Sequence, residues 1–594
     1  MKKTISIILS ILIISCMLPL SLNAMAEEYT EGYYTYEVID DEASIISVNT
    51  GISTAVEIPS SLGGYPITSI GWGAFDGCTK ITSLFIPASV TFISNEAFIG
   101  CTGLTGFTVD ANNPVYTSIQ NCLIEKDSKQ LIAGCKNSVI PTDGSVTSIG
   151  YYAFYGCTGL LSITIPDCVT SIDWGAFQNC TRLKDITVHD NIEYFGGDAI
   201  DNTAYYNDSD NWEDGVLYIG NYLVKSDGYT PATYSIREGT VSILDSAFAW
   251  CEDITSITIP SSVKSIGYDA FYNCIGLTSI TIPNSVTSID YSAFQDCTNL
   301  KTINIHNNIT YIGLYAFDGT AYYNNSGNWT NGVLYLGTYL LKANENVPAT
   351  YTIREGTTLI ADSAFAYNET ITAVTIPDSV KYIGLNAFES CPKLTTATIG
   401  NGVKIIGDYT FYDCASLSNV TLGNSVEAIE QCAFSDCIGL KNITLPGSVK
   451  TIGYSAFYYC TELASINLTN RVTSIGYEAF EGCEKLTDVY FEGKEDEWTN
   501  IDVAEYNDAL LNANIHYIYT PDEPTVVFGD VNSDGAISAS DALLILQCSV
   551  DKIVFTAEQI KAGNVDSDDA ITASDALLVL QYSVDKIDKF PVNG

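Results

Sequence analysis

Basic residues are scarce in this 594-residue chain: Lys and Arg together number 26 against 70 Asp plus Glu, a formal net charge of −44. A protein binds nucleic acid by supplying cations that displace phosphate counterions. Nucleic acid is therefore excluded as a partner, and an anionic membrane surface falls with it. Only three histidines are present, which leaves little for imidazole-based catalysis or zinc chemistry. No segment after the N-terminus reaches the roughly 18 consecutive apolar residues of a membrane span. A disordered acidic chain is excluded too, because 46% of residues are hydrophobic and only 16% are charged.

What is present begins with a targeting segment. Lys2 and Lys3 precede an apolar run from Ile5 to Leu20, and Ala24-Met25-Ala26 supplies a small-x-small cleavage site. This pattern predicts a secretory signal peptide over residues 1–26 and an exported mature chain.

The body is repetitive. Leu-Thr-Ser-Ile-Thr-Ile-Pro, Ser-Val-Thr-Ser-Ile-Gly, Ala-Phe and Cys recur in that order. The aligned Phe residues stand at 75, 98, 154, 177, 248, 271, 294, 317, 365, 388, 411, 434, 457 and 480, with Ile200 in the same place. Successive members are 23 residues apart, except for two steps of 48 and one of 56. A short fixed period predicts a solenoid, in which each coil buries its apolar face against its neighbours. In Leu277 to Ile282, Ile280 and Ile282 point one way and Ser279 and Thr281 the other, a short strand with an apolar inner side. Pro283 ends the strand by removing a donor. Val286 and Ile289 re-enter the core, and Ala293, Phe294 and Cys297 close the coil.

The Leu-x-x-Ile-x-Ile strand matches the leucine-rich-repeat pattern. Over residues 30–518 the chain resembles the BspA-type bacterial leucine-rich repeats. That resemblance implies an α/β, strand-rich solenoid of about fifteen 23-residue coils. Residues 27–70 read as an N-terminal cap, 71–489 as repeats and 490–518 as a C-terminal cap carrying Trp498, Leu510, His516 and Tyr517. Insertions are expected near 110–142, 201–240 and 318–357. The last two are copies offset by 117 residues, and their Gly-Val-Leu-Tyr and Tyr-Leu-x-Lys runs predict hairpins on the solenoid's edge.

Twelve cysteines stand three residues after the repeat Phe. Thr203, Thr320 and Asn368 take that place in three coils, which suits a packing slot better than obligate pairing. The expectation is a ladder of free, buried thiols.

After a linker at 519–527 the repeat gives way to an oxygen-rich loop. Asp530, Asn532, Asp534 and Asp541 occupy positions 1, 3, 5 and 12, with Gly535 at 6. This is a calcium loop, with Ala536 ligating through its carbonyl and Ser538 through water. Asp at position 12 instead of Glu makes it a variant. A second loop begins 34 residues later with Asn564, Asp566, Asp568, Ala570, Thr572 and Asp575, and has Asp569 where Gly is usual. Nearly identical helices follow the two loops, from Ala539 and from Ala573.

Residues 528–594 resemble a type I dockerin, a small all-α module with two structural calcium ions. The resemblance implies a cohesin domain of a scaffold protein as partner, and membership of a cellulosome, the cell-surface complex that degrades plant-wall polysaccharide. Carried over from the family, the contact positions are Ala539, Ser540, Leu546, Gln547 and Asp551, mirrored by Ala573, Ser574, Leu580, Gln581 and Asp585.

No catalytic motif emerges from the array. His189 and His306 fill a slot held elsewhere by Pro and read as turn residues. Asp208, Asp210, Glu213 and Asp214 could suggest a carboxylate pair for glycoside cleavage. Their counterparts 117 residues on, Asn325, Gly327, Thr330 and Asn331, contain no acid, which favours a solvated loop. Trp72, Tyr151, Trp174, Tyr268, Tyr291, Tyr454 and Tyr477 stand three residues before the repeat Phe, as candidate ligand platforms or inter-coil packing. The expectation is a secreted, non-catalytic recognition protein of a cellulosome, presenting a surface to carbohydrate or protein. The competing classes are a hydrolase acting on O-glycosyl bonds and an adhesin for a host or cell-surface protein.

Overall fold

The computed structural model describes residues 27–52, 54–518, 527–532, 534–566, 568, 570–584 and 586–591. The expected signal peptide, most of the expected linker, Asp569 and the candidate contact Asp585 lie outside the described residues. The chain divides into two compact units. One holds the repeats through Val489 together with Ile501–Asn514, and the other holds Tyr490–Asn500 with the chain from Ile515 onward.

In the first unit each regular coil lays down two short strands, such as Ser279–Thr281 and Ser288–Ile289. Each pairs in parallel with its equivalent in the next coil, as Ile280 with Ile303 and Ile266 with Ile289. Ile280 is buried while Ser279 and Thr281 are exposed, as the alternation requires. A third track runs through the closing turns, where the Phe271 N–H donates to the Ala293 carbonyl at 2.8 Å and Phe294 repeats the bond to Ala316. Turns, rather than helices, close the regular coils, so the repeat unit is strand-rich with little helix. Those turns need a left-handed residue on each side of the Phe, as at Ser292 (φ +53°) and Asp296 (φ +58°), a conformation open mainly to Gly, Asn and Asp.

The repeat Phe rings form a buried spine. Phe248, Phe271, Phe294 and Phe317 stack with centroids 5.0–5.4 Å apart and planes within 8°. Phe365 through Phe480 continue the pattern at 4.8–5.4 Å. Burying one such ring contributes about 2–3 kcal/mol, and stacking adds about 1 kcal/mol per pair.

All 17 cysteines among the described residues are free. Nine of the twelve repeat thiols donate to the Phe carbonyl of the preceding coil, as Cys297 does to Phe271 at 3.0 Å and Cys437 to Phe411 at 3.2 Å, whereas Cys78, Cys157 and Cys251, each following a cap or an insertion, donate elsewhere. Thr320 keeps a donor in the slot by bonding the Phe317 carbonyl at 2.7 Å.

The hairpins form where the Gly-Val-Leu-Tyr and Tyr-Leu-x-Lys runs predict them. Trp212–Glu213, Val216–Ile219 and Tyr222–Ser226 form an antiparallel unit whose last strand pairs in parallel with Ser242–Ile243. The copy at Trp329–Ala343 pairs in the same way with Leu359–Ile360. Each hairpin therefore forms the end of its sheet, and Val216–Ile219 is buried throughout. Parallel pairing covers the last hairpin strand and leaves only a two-residue strand as the sheet's edge, a short edge that limits pairing with another chain. The first insertion is built alike, with Gln130–Ala133 pairing Ser148–Ile149.

Each duplicated hairpin opens a new sheet, so the preceding ladder stops at Tyr194–Phe195 or Tyr311–Ile312. A buried carboxyl stands at each interruption. Asp362 accepts from the Leu385 N–H at 2.8 Å and the Tyr311 hydroxyl at 2.9 Å. Asp245 accepts from the Tyr268 N–H at 2.9 Å. Burial raises Asp245 to about 8 and Asp362 to about 7.

Candidate functional site

In the second unit, the helix Ala539–Ser549 follows the first loop and Ala573–Ser583 follows the second, with Ala557–Gly563 between them. Ile545, Val579, Val531, Val565 and Phe590 form their shared core. The last ligand position of each loop is also the third residue of the following helix. Asp541 Oδ2 accepts from the Ser538 N–H at 3.1 Å, completing a capping box, while Oδ1 accepts from the Val531 and Asn532 N–H groups at 3.1 and 3.2 Å. Asp575 repeats this with Thr572 at 2.9 Å and Val565 at 2.9 Å. One carboxylate thus closes the loop and caps the helix, where negative charge is favoured.

In the first loop Asp530 accepts from the Asp534 and Gly535 N–H groups at 3.2 and 2.9 Å, and Asp534 accepts from Ala536 N–H at 2.9 Å. Gly535 is left-handed (φ +84°), the turn its place demands. In the second loop, oxygens of Asp566, Asp568 and Asp575 lie within 4.8 Å of one another. Asn564 Oδ1 is buried beside them without a hydrogen-bond partner. Three clustered carboxylates and an unsatisfied amide oxygen in one loop fit a calcium ion. Asn532, Ser538, Ala570 and Thr572 occupy the remaining expected places in these loops.

The carried-over contact residues Ala539, Ser540, Leu546 and Asp551 are exposed and Gln547 is half-buried; Ala573, Ser574, Leu580 and Gln581 match them. Sequence reasoning missed Leu543 and Leu577, each 55% exposed. With Leu546 or Leu580 they form an apolar patch at i, i+3 spacing, a signal legible in the helix periodicity.

The seven aromatics three residues before the repeat Phe are partly drawn together. Tyr268 and Tyr291 stack at 5.2 Å and Tyr454 and Tyr477 at 5.7 Å, while Trp174 meets Tyr268 edge-on at 6.1 Å. The stacked rings cover one another's faces and leave edges to solvent. Trp72 is largely exposed and donates to Glu96. Tyr151 is half-buried, and burial pushes its phenol up to about 12.

Asp208 and the two histidines of the turns hold local backbone structure. Asp208 caps a 3-10 turn through the Asp210 N–H at 3.2 Å, as Asn325 does for Gly327 at 3.0 Å. His189 and His306 accept turn N–H groups through Nδ1, from Asn191 at 3.1 Å and Asn308 at 3.0 Å.

The BspA type Leucine rich repeat region family matches in segments spanning residues 49–525, and the Dockerin type I domain family matches residues 528–582. The chain belongs to the BspA-type leucine-rich-repeat family and carries a type I dockerin. Such dockerins bind calcium and dock onto cohesins of cellulosome scaffolds, and the repeats provide a binding surface. Neither is a catalytic module. No curated protein shows significant similarity. Among solved structures, a leucine-rich repeat protein from Bacteroides ovatus is 23% identical, with 82% of this chain and 99% of that one covered and a TM-score of 0.28. A leucine rich cell surface protein from Faecalibacterium prausnitzii is 25% identical, with 80% and 97% covered and a TM-score of 0.26. Among the described residues no helix is long and apolar enough to cross a membrane.

Proposed function

We propose that this protein is exported, plugs into a cellulosome scaffold through its dockerin, and presents its repeat stack to polysaccharide without cleaving it. The observation that carries this reading is the pair of matching loop–helix units, each with an Asp that closes the loop and caps an exposed helix face. In this reading residues 1–26 direct export, 27–70 and 490–518 cap the stack, and 528–594 dock. Two calcium ions, when bound, supply positive centres that hold the loop oxygens and so fix the helices. Asp530, Asn532, Asp534 and Asp541 hold the first, and Asn564, Asp566, Asp568 and Asp575 the second. Either of the duplicated faces, around Leu546 with Asp551 or around Leu580, then meets the cohesin, which gives two binding orientations, and Asp585 is the counterpart contact in the second set. The aromatic row from Trp72 to Tyr477 lines a recognition surface with its exposed edges.

The test is a scaffold-cohesin pull-down with the full chain, paired with a reducing-sugar assay on plant-wall substrates. Retention in calcium and no sugar release are expected. Sugar release by the purified chain contradicts the non-catalytic reading, and no retention by any scaffold cohesin contradicts docking.

A further inference from the structure

Two residues after the repeat Phe, every coil holds a left-handed residue. Twelve coils fill this place with Gly, Asn, Asp or Ser, from Gly77 (φ +67°) to Gly482 (φ +75°). Trp250 (φ +65°), Tyr367 (φ +62°) and Tyr459 (φ +54°) are the exceptions. A bulky side chain on this backbone is strained. Burial does not offset the strain, because the three residues are 62%, 67% and 47% exposed. The track does not need a ring either. The Tyr367 N–H donates to the Glu389 carbonyl at 2.8 Å, and Asn273 makes the same bond to Gln295 at 2.9 Å. Strain held at an exposed place that twelve other coils fill with a small residue points to function.

The surroundings narrow that function. Trp250 meets Tyr272 of the next coil edge-on at 5.3 Å, and Tyr459 packs beside Tyr458 at 4.6 Å. The Tyr367 hydroxyl donates to Glu389 Oε1 at 2.8 Å, and the other oxygen of that carboxylate accepts from Asn386 Nδ2 at 2.7 Å. An open ring rimmed by a fixed carboxylate and amide suits a sugar, whose C–H face stacks while its hydroxyls hydrogen-bond. A net charge of −44 and Glu389 itself oppose an anionic sugar. Trp250 and Tyr367 are equivalent across the 117-residue duplication, and Tyr459 lies four 23-residue repeats beyond Tyr367, so the platforms recur at whole-coil intervals.

We propose that Trp250, Tyr367 and Tyr459 are stacking platforms of a binding site for a neutral polysaccharide. This deepens the reading of the repeats as the carbohydrate-facing part and rests on it. The experiment uses the full chain with calcium and a variant carrying Trp250→Asn, Tyr367→Asn and Tyr459→Asn. Affinities are measured for soluble xylan, a neutral β-glucan, polygalacturonate and a scaffold cohesin, together with the thermal midpoint. The expected result is native binding to a neutral glycan that is at least about tenfold weaker in the variant, with an equal or higher midpoint. Several outcomes overturn the proposal: no native binding to either neutral glycan, preference for polygalacturonate, equal affinity in the variant, or a lowered midpoint that marks the rings as packing. Cohesin binding is read separately: its absence beside the expected sugar result removes the scaffold reading and leaves this site standing.

Discussion

A thiol that donates to a carbonyl and lies against stacked Phe rings behaves as a small core residue. Burial pushes Cys180 and Cys483 up to about 12, so the nucleophilic thiolate is suppressed. Native protein at about pH 8 is expected to resist iodoacetamide at these positions. Denatured protein without reductant is expected to take up label at nearly every thiol. Label missing from most unfolded cysteines, with recovery on reduction, contradicts the free-thiol ladder. Cys437→Ala removes the sulfur and one of two donors to the Phe411 carbonyl, which keeps the Cys414 N–H, at a cost of about 1–2 kcal/mol in unfolding free energy. The slot was legible because Thr203, Thr320 and Asn368 share it with Cys. The thiol's acceptor was not, since a 23-residue period does not say which atoms of adjacent coils meet. The same limit hid Trp250, Tyr367 and Tyr459, whose strain shows only once the backbone conformation of their place is known.

At the level of elements, the strand, the bend and the Phe-closed turn follow from alternation and from Pro, Gly and Asn placement. The hairpins' depth did not follow. A Val-Leu-Tyr-Ile run reads as a strand of a hairpin, but its burial on both faces shows only once Tyr222–Ser226 pairs with the next coil. The carboxyls at the resulting sheet interruptions carry a pH dependence. Asp245 faces Asp290 and Asp198, and Asp362 faces Tyr311 and Asp290. Their pKa values in the fold lie above the ordinary carboxylate value of about 3.9. Folding therefore favours the neutral form. The stabilising contribution is complete below about pH 4 and is lost as pH rises through about 7 to 8. With calcium held saturating, the repeat stack is expected to melt at a higher temperature at pH 5 than at pH 8. Asp245→Asn with Asp362→Asn is expected to narrow that gap, because the amides cannot ionise. An unchanged gap in the double variant assigns the pH dependence to surface charge instead.

At the level of the whole molecule, two modules with different needs share one chain. The repeat stack rests on Phe rings and parallel rungs. The dockerin has a small core, around Ile545 and Val579, and loops rich in carboxylates. Both modules were legible, the first from its period and the second from ligand spacing. The exposed Leu543 and Leu577 were passed over because apolar residues in a short helix read as core until burial assigns a face. Asp541→Ala is expected to uncap its helix and open the first loop, weakening calcium binding at least about tenfold while leaving the melting of the repeat stack unchanged. Isothermal titration of the variant with calcium, beside a thermal scan, checks both.

The most direct measurement is the affinity of the full chain for a scaffold cohesin, in millimolar calcium and again after chelation with EDTA. Tight binding in calcium that disappears on chelation, returns on re-addition and leaves the repeat stack folded throughout is the predicted result. Binding that survives chelation unchanged, or its absence in saturating calcium, contradicts a calcium-built dockerin as this protein's anchor.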